Sequence, residues 1–373
     1  MMKHNILAIV IPALITGAST VNAAEIYNKD GNKLDLYGTV DVNHLFNKSS
    51  SSSGDYSQVR LGIKGSSQIS DQLTAFSHVE WETKTNKSPA GNGNTNRLAI
   101  IGLKANDLGS LDYGRNHSVL YDPNAWTGVL PLYGSDTIPR GESSLNNYNL
   151  LTYRNTGFFG LKDSLKFAIQ YKGKNTINNA AGSKHYLTSN GQGFAISTSY
   201  DLGWGITLGG SYARAVRNLT DDNLQKSSAG GKHSEGWNAG IKYNANNLYL
   251  AAVYGEAHNM SRFGRIVNGT DMEKTAHKTE NFELVGQYLF NEINLKPSIA
   301  YVQSTGKNLS DTTYPSENDL VKYISLGAFY YFNKDLTAVI DYKINLINSN
   351  DGFVNKYGLC SKNLVGLGLV YKF

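Results

Sequence analysis

The stretch Leu165-Lys166-Phe167-Ala168-Ile169-Gln170-Tyr171-Lys172 changes character at every residue, with apolar or aromatic side chains at the odd positions and mostly polar ones at the even. Side chains of a strand point alternately to two faces, so this is a strand with one greasy face. The rhythm returns at Trp237, Ala239, Ile241 and Tyr243 against Asn238, Gly240 and Lys242, and at Leu336, Ala338, Ile340 and Tyr342 against Thr337, Asp341 and Lys343. It closes the chain, where Val365, Leu367, Leu369, Tyr371 and Phe373 alternate with Gly366, Gly368, Val370 and Lys372. With 38 glycines, 24 tyrosines and only 7 prolines, the composition suits many strands and tight turns. Alternation alone leaves open which face meets water.

The aromatic residues decide it. Tyr200, Tyr243, Tyr288, Phe332 and Phe373 each end a strand just before a short polar turn or the chain end, at spacings of 43, 45, 44 and 41 residues. One ring per hairpin at a constant height is what a membrane–water interface selects in a transmembrane barrel, and a water-soluble sandwich has no use for it. Short turns fall at 65–72, 105–110, 157–164, 201–205, 244–247, 289–294 and 333–335. Seven turns join fourteen strands, and one more at each end predicts an all-β, 16-stranded antiparallel barrel. Closure gives every amide in the lipid zone a neighbour. Between the turns lie long stretches rich in Ser, Asn, Gly and Lys, at 47–56, 83–96, 173–192, 214–235, 257–280, 303–320 and 346–362, which read as solvated external loops.

The first residues read as a secretory signal: Lys3, an apolar run from Ile6 to Ile15, and Val21-Asn22-Ala23 as a small-residue cleavage site. Residues 1–23 are expected to be removed, leaving 24–373 as one barrel domain. The whole chain carries +5, and loss of Lys3 leaves +4, too mild for a nucleic-acid partner. A single cysteine, Cys360, excludes a disulfide framework and reads as an incidental small residue. No metal or cofactor motif is present.

One segment keeps neither a two-residue nor a 3.6-residue rhythm. Residues 121–137, YDPNAWTGVLPLYGSDT, combine the rings of Tyr121, Trp126 and Tyr133 with Pro123 and Pro131. A fully solvated loop gains nothing from such rings, whereas a loop packed on a wall uses them.

Several segments together resemble the trimeric general porins of enterobacterial outer membranes. They are AEIYNKDGNKLDLYG at 24–38, RLGIKG at 60–65, LDYGRN at 111–116, LTYRN with FFGL at 151–161, YKGKN at 171–175, KYNANNLYLAAVYGE at 242–256, PSIAY at 297–301, YYFNK at 330–334 and the terminal GLGLVYKF. The resemblance implies three barrels per assembly, each passing ions and small hydrophilic solutes by diffusion. It implies that the third external loop, here residues 116–147, folds inward and narrows the pore. Family members set carboxylates on that loop against basic residues on the wall, a transverse field that biases ion passage.

Arg60 and Arg97 fall on family basic positions and Glu80 on a lumen-facing acid, while Thr39 and Asn146 stand where lysine and arginine are usual. Alternation turns Arg60 inward with Gln58 and Lys64. The family's loop sequence PEFGGD is here Pro131-Leu132-Tyr133-Gly134-Ser135-Asp136, so Leu132 replaces a glutamate; Gly128 replaces a second acid, and Arg140 stands near a usually acidic place. Asp136 is kept and Asp122 is also present. Both sides of the eyelet have lost charge, and weakened cation selectivity is expected. The second loop, 83–96, lacks the acid that relatives use to latch onto the neighbouring barrel.

Lys174, Lys184, Arg214, Arg217, Arg262 and Arg265 are candidates for lipopolysaccharide phosphates. Tyr371 and Phe373 resemble the terminal signal read by the barrel-assembly machinery. An enzyme on a similar barrel needs a nucleophile, a base and an orienting group. No GxSxG, HExxH, P-loop or CxxC is present, and the eight histidines are scattered. A substrate-selective channel is the alternative reading, since Tyr121, Trp126 and Tyr133 could line a path for sugars.

Overall fold

The computed structural model describes residues 23–47, 53–87, 93–134, 137, 146–174, 191–217, 230–309, 311 and 313–373. The proposed signal segment up to residue 22, Asp136, Arg140 and Lys184 lie outside the described residues, and Asn146 is described in its main chain alone.

Sixteen long strands follow one another round a single sheet: β1 Asn32–Phe46, β2 Gln58–Ser70, β3 Leu73–Lys84, β4 Asn94–Ala105, β5 Gly109–His117, β6 Asn146–Asn155, β7 Leu165–Lys172, β8 Gly193–Gly203, β9 Ile206–Val216, β10 His233–Ala245, β11 Leu248–His258, β12 Lys278–Tyr288, β13 Leu295–Lys307, β14 Asn318–Tyr331, β15 Leu336–Asn345 and β16 Leu364–Lys372. Each pairs antiparallel with the next. The cylinder is closed by β1 and β16, from Thr39↔Lys372 to Phe46↔Val365. Gly38 and Phe373 then exchange two main-chain hydrogen bonds of 2.9 and 3.1 Å.

Below that point an eighth short turn, not among the seven read from the sequence, completes the seal. Ala24–Lys29 folds back through Asp30 and Gly31 onto residues 32–36 of β1, along the edge that β16 leaves bare. The Asn246-Asn247 turn between β10 and β11 has both residues at positive φ (54° and 62°), the conformation that matches hairpin twist and that asparagine tolerates.

Burial runs opposite to that of a water-soluble protein. Ile101 is 67 % exposed, Val42 55 % and Ile340 46 %, while Asp341, Thr152 and Ser325 are fully covered. The expected ring of aromatics stands next to the short turns, where Tyr288 meets Phe290, Tyr330 meets Phe332 and Tyr371 meets Phe373 at 4.8, 5.0 and 6.3 Å between centroids. A second belt, Phe194–Tyr212, Trp237–Tyr254 and Phe282–Tyr301, stands near the long loops. Two aromatic belts bounding an apolar band are the signature of a bilayer-spanning barrel.

The expectation of uniformly solvated external loops needs correction. Within 259–277, Arg262–Phe263 pairs with Lys274–Thr275 and Ile266–Val267 with Thr270–Asp271. A six-residue helix, Gly352–Tyr357, is capped by Asp351, whose side chain accepts from the Phe353 amide. Phe353 and Tyr357 of this helix pack with Phe263, Ala276, Leu309 and Leu320 into a buried cluster above the barrel. Apolar residues spaced widely along polar stretches converge here, which local composition does not reveal.

Candidate functional site: the channel lumen

The site begins where β5 ends. The Ser118 side chain accepts from the Leu120 amide and starts a 3₁₀ turn over Val119–Tyr121, followed by a second over Asn124–Trp126. These turns direct Val119 and Leu120 onto a bed of Ala168, Ala195, Ala213, Ala257 and Met260. The alanines occupy inward positions of β7, β8, β9 and β11, and their small size leaves room for a chain to lie on the wall.

Residues 118–134 then touch one strand after another along the inner face. Gln170 of β7 donates to the His117 carbonyl (2.9 Å), and Ser211 of β9 and Asn238 of β10 both donate to the Leu120 carbonyl (2.8 and 3.0 Å). Asp122 accepts from both terminal nitrogens of Arg154 on β6 (2.8 and 3.2 Å) and from the Ser197 hydroxyl on β8. Its charge therefore fastens the loop. The Trp126 ring lies over Gly209 and Gly240, directly opposed residues of β9 and β10; a β-carbon on Gly209 would stand 2.4 Å from the ring. Lys242 lies 5.1 Å from the centre of that ring, and the Tyr249 hydroxyl donates to the Trp126 carbonyl (2.7 Å).

Farther on, Glu283 of β12 accepts from the hydroxyls of Thr127 and Thr137, bracketing the segment between them. Gln287 donates to the Val129 carbonyl (2.8 Å), and Asp341 of β15 accepts the amides of Leu132 (3.1 Å) and Tyr133 (3.2 Å). Leu132 sits so close to Gly366 that a β-carbon there would be 2.4 Å from its methyl group, and Tyr133 rests 5.5 Å from the Lys343 ammonium. Gly128 faces the lumen between these anchors. Tyr121 packs against the His117 ring, with centroids 6.2 Å apart.

Arg60, Glu80 and Arg97 come together on the opposite wall. Arg97 stands where β4 carries one residue more than β3, with Glu80 opposite Leu98 and Trp81 opposite Asn96. This bulge turns both Arg97 and Leu98 inward, where strict alternation would send one of them to lipid. Arg97 bonds Glu80 (2.6 Å) and Glu82 (3.0 Å), while Arg60 bonds Glu82 (2.9 Å) and approaches Glu80 (3.7 Å). The Tyr37 hydroxyl donates to Glu80 (2.6 Å). Two cations and two anions thus form a neutral quartet. Thr39 lines the lumen between Arg60 and Lys372, its register partners on either side.

Sequence reasoning did not single out Glu82 or Arg154. The signal for Glu82 was in HVEWE itself, since a residue two after Glu80 shares its face; Arg154 gives no local sign that its partner lies on the loop.

Beneath the loop is a cavity of about 1460 Å³. Among the described residues its lining holds ten lysine and arginine side chains against seven carboxylates, a modest cationic excess.

The sequence pattern of Gram-negative porins matches residues 29–373. This chain belongs to the Gram-negative porin family. Among curated relatives it is 52 % identical to outer membrane porin F of Xenorhabdus nematophila and 46 % identical to outer membrane protein F of Serratia marcescens, over the full length of each chain. It is 43 % identical to outer membrane porin N of Escherichia coli, again over both full lengths. Among solved structures, Salmonella typhi OmpF in complex with daunomycin superposes with a TM-score of 0.83 at 38 % identity, covering 94 % of this chain and 100 % of that one. The protein is accordingly an outer-membrane diffusion channel of a Gram-negative bacterium, and not an enzyme. Within that porin framework, the 118–134 contacts give the aromatic, patternless insertion a place against the wall.

Proposed function

We propose that residues 116–147 form the constriction of a general diffusion pore whose cation preference is weak. The observation that carries this reading is the absence of free carboxylate on the described loop: Asp122 is tied to Arg154, while Gly128 and Leu132 stand where the family places acids. The Arg60–Glu80–Arg97–Glu82 quartet on the facing wall is neutral as a group, and the lumen beneath carries the cationic excess. A transverse field built from these groups orients polar solutes without strongly favouring cations. Reversal potentials across a salt gradient in a planar bilayer test this. A value close to zero or on the anion side is expected, Leu132→Glu should move it toward cations, and strong cation selectivity of the native channel would refute the reading.

The same proposal includes a homotrimer, supported by family membership, and its test is an unheated detergent gel showing a trimer-sized band. Lipopolysaccharide is its outer-leaflet partner. Supporting this, Arg214 shares the outward face of β9 with Tyr212 of the outer aromatic belt and keeps 45 % of its side chain exposed. Tyr371 and Phe373 serve the barrel-assembly machinery, and residues 1–23 are removed on export, as mass spectrometry of the purified protein would check.

A further inference from the structure

The lumen wall below the loop carries a cluster that the constriction does not use. Lys296 and Phe329 are register partners on β13 and β14, and both line the cavity. The Lys296 ammonium stands 4.4 Å from the centre of the Phe329 ring and 5.8 Å from that of Tyr331. Those two rings lie within 3° of parallel, 6.3 Å apart between centroids, a parallel aromatic pair that serves as a shelf on the wall. Among the described residues Lys296 forms no ion pair with a carboxylate. Lys372, on β16 beyond Thr337 and Val370, lines the same lumen. One inward step above Phe329 is Gly327, covered by Pro131 of the loop, where a β-carbon would come within 2.8 Å of the proline ring. One ammonium group, a parallel pair of rings and a loop roof thus meet on the short-turn side of the constriction.

We propose that this cluster is a binding subsite for small anions carrying a flat ring. The anionic group pairs with Lys296. The ring lies offset against Tyr331, because the ammonium already covers Phe329. A bare anion gains only the charge and an uncharged ring only the shelf; a solute bearing both is retained longest. Placed directly under the roof, such a solute obstructs the ion path while bound. This inference rests on the channel reading and names a solute class that the channel would hold rather than merely pass.

Single-channel recording with benzoate added to the short-turn side provides the test, with acetate (charge without ring) and benzyl alcohol (ring without charge) at equal concentration. Benzoate should interrupt the current where the other two do not. Lys296→Gln and Tyr331→Leu should each weaken the effect about fivefold or more, as loss of a charge-assisted contact or of a ring face requires. The benzoate-free unit conductance of each variant, measured first, shows that it has folded. Benzoate acting no differently from acetate, or acting equally on native and both variant channels, would overturn the subsite while leaving the channel intact. Absence of conductance without any probe would overturn the channel reading itself, and the subsite with it.

Discussion

Replacing Asp341 with alanine should loosen the loop without disturbing the barrel. The carboxylate is fully covered, and it accepts from Ser325 Oγ (2.5 Å) and from the amides of Leu132 (3.1 Å) and Tyr133 (3.2 Å). Hydrogen bonds to a charged group contribute about 1.5–3 kcal/mol each, so the two to the loop amount to about 3–6 kcal/mol before solvent is considered. The lumen is wet, and released amides recover part of this from water, leaving about 2–4 kcal/mol. At 1.4 kcal/mol per factor of ten, the detached population of this stretch rises about 30- to 700-fold. In planar bilayers that should appear as excess open-channel noise and a lower closing voltage. Ser325→Ala is the control, since it removes a bond to the same carboxylate and leaves both loop amides paired. If the Asp341→Ala trace matches those of Ser325→Ala and the native channel, Asp341 does not hold the loop.

Three further outcomes follow from the same contacts. Gly209→Ala places a methyl against the rigid Trp126 ring and should destabilise the loop's seat by about 1–3 kcal/mol, read as a shifted tryptophan emission with little change in the barrel's circular dichroism. In the external cluster, burial alone would raise the Asp311 carboxyl. The Lys356 ammonium (2.6 Å), the Thr313 amide and the Tyr357 hydroxyl outweigh it and hold the group at about 2. A depressed carboxyl stabilises the fold above its ordinary value of 3.8, and that contribution fades as pH falls through about 2. Hydrogen-exchange protection at 352–358, measured relative to the intrinsic amide rate at each pH, should therefore fall over this window, and Asp311→Asn should lessen that dependence. Phe373→Asp removes the ring that covers Gly38 at the seam and should reduce the yield of folded porin in the outer membrane.

The barrel was legible because lipid imposes a strict rule on side chains: every second residue of a spanning strand must be apolar, and rings gather at the interfaces. Leu367, Leu369 and Tyr371 obey it plainly and face outward, at 44, 49 and 47 % exposure. Legibility falls wherever partners lie far apart in sequence. Trp126 could be recognised as a packing residue, but its socket of Gly209 and Gly240 is set by cross-strand register. Asp341 shows in the sequence only as a polar residue of an alternating strand and Glu283 has no local mark, until the loop is seen to bond both. Arg97 fell on a family basic position, while the bulge that brings it inward leaves no mark in the alternation. The external cluster of Phe263, Phe353 and Tyr357 escaped for a similar reason, since contacts between different loops have no period to follow.

The most direct test of the account places a thiol at Gly128 in a channel whose native cysteine has been replaced, Cys360→Ser, so that no other thiol competes. Gly128 faces the lumen between Thr127, anchored to Glu283, and Val129, anchored to Gln287. Attachment of a bulky methanethiosulfonate reagent should lower the unit conductance sharply, because the added group occupies the narrowest part of the water path. Full labelling with no change in conductance would mean that residue 128 lies away from the ion path, and the loop would not be the constriction.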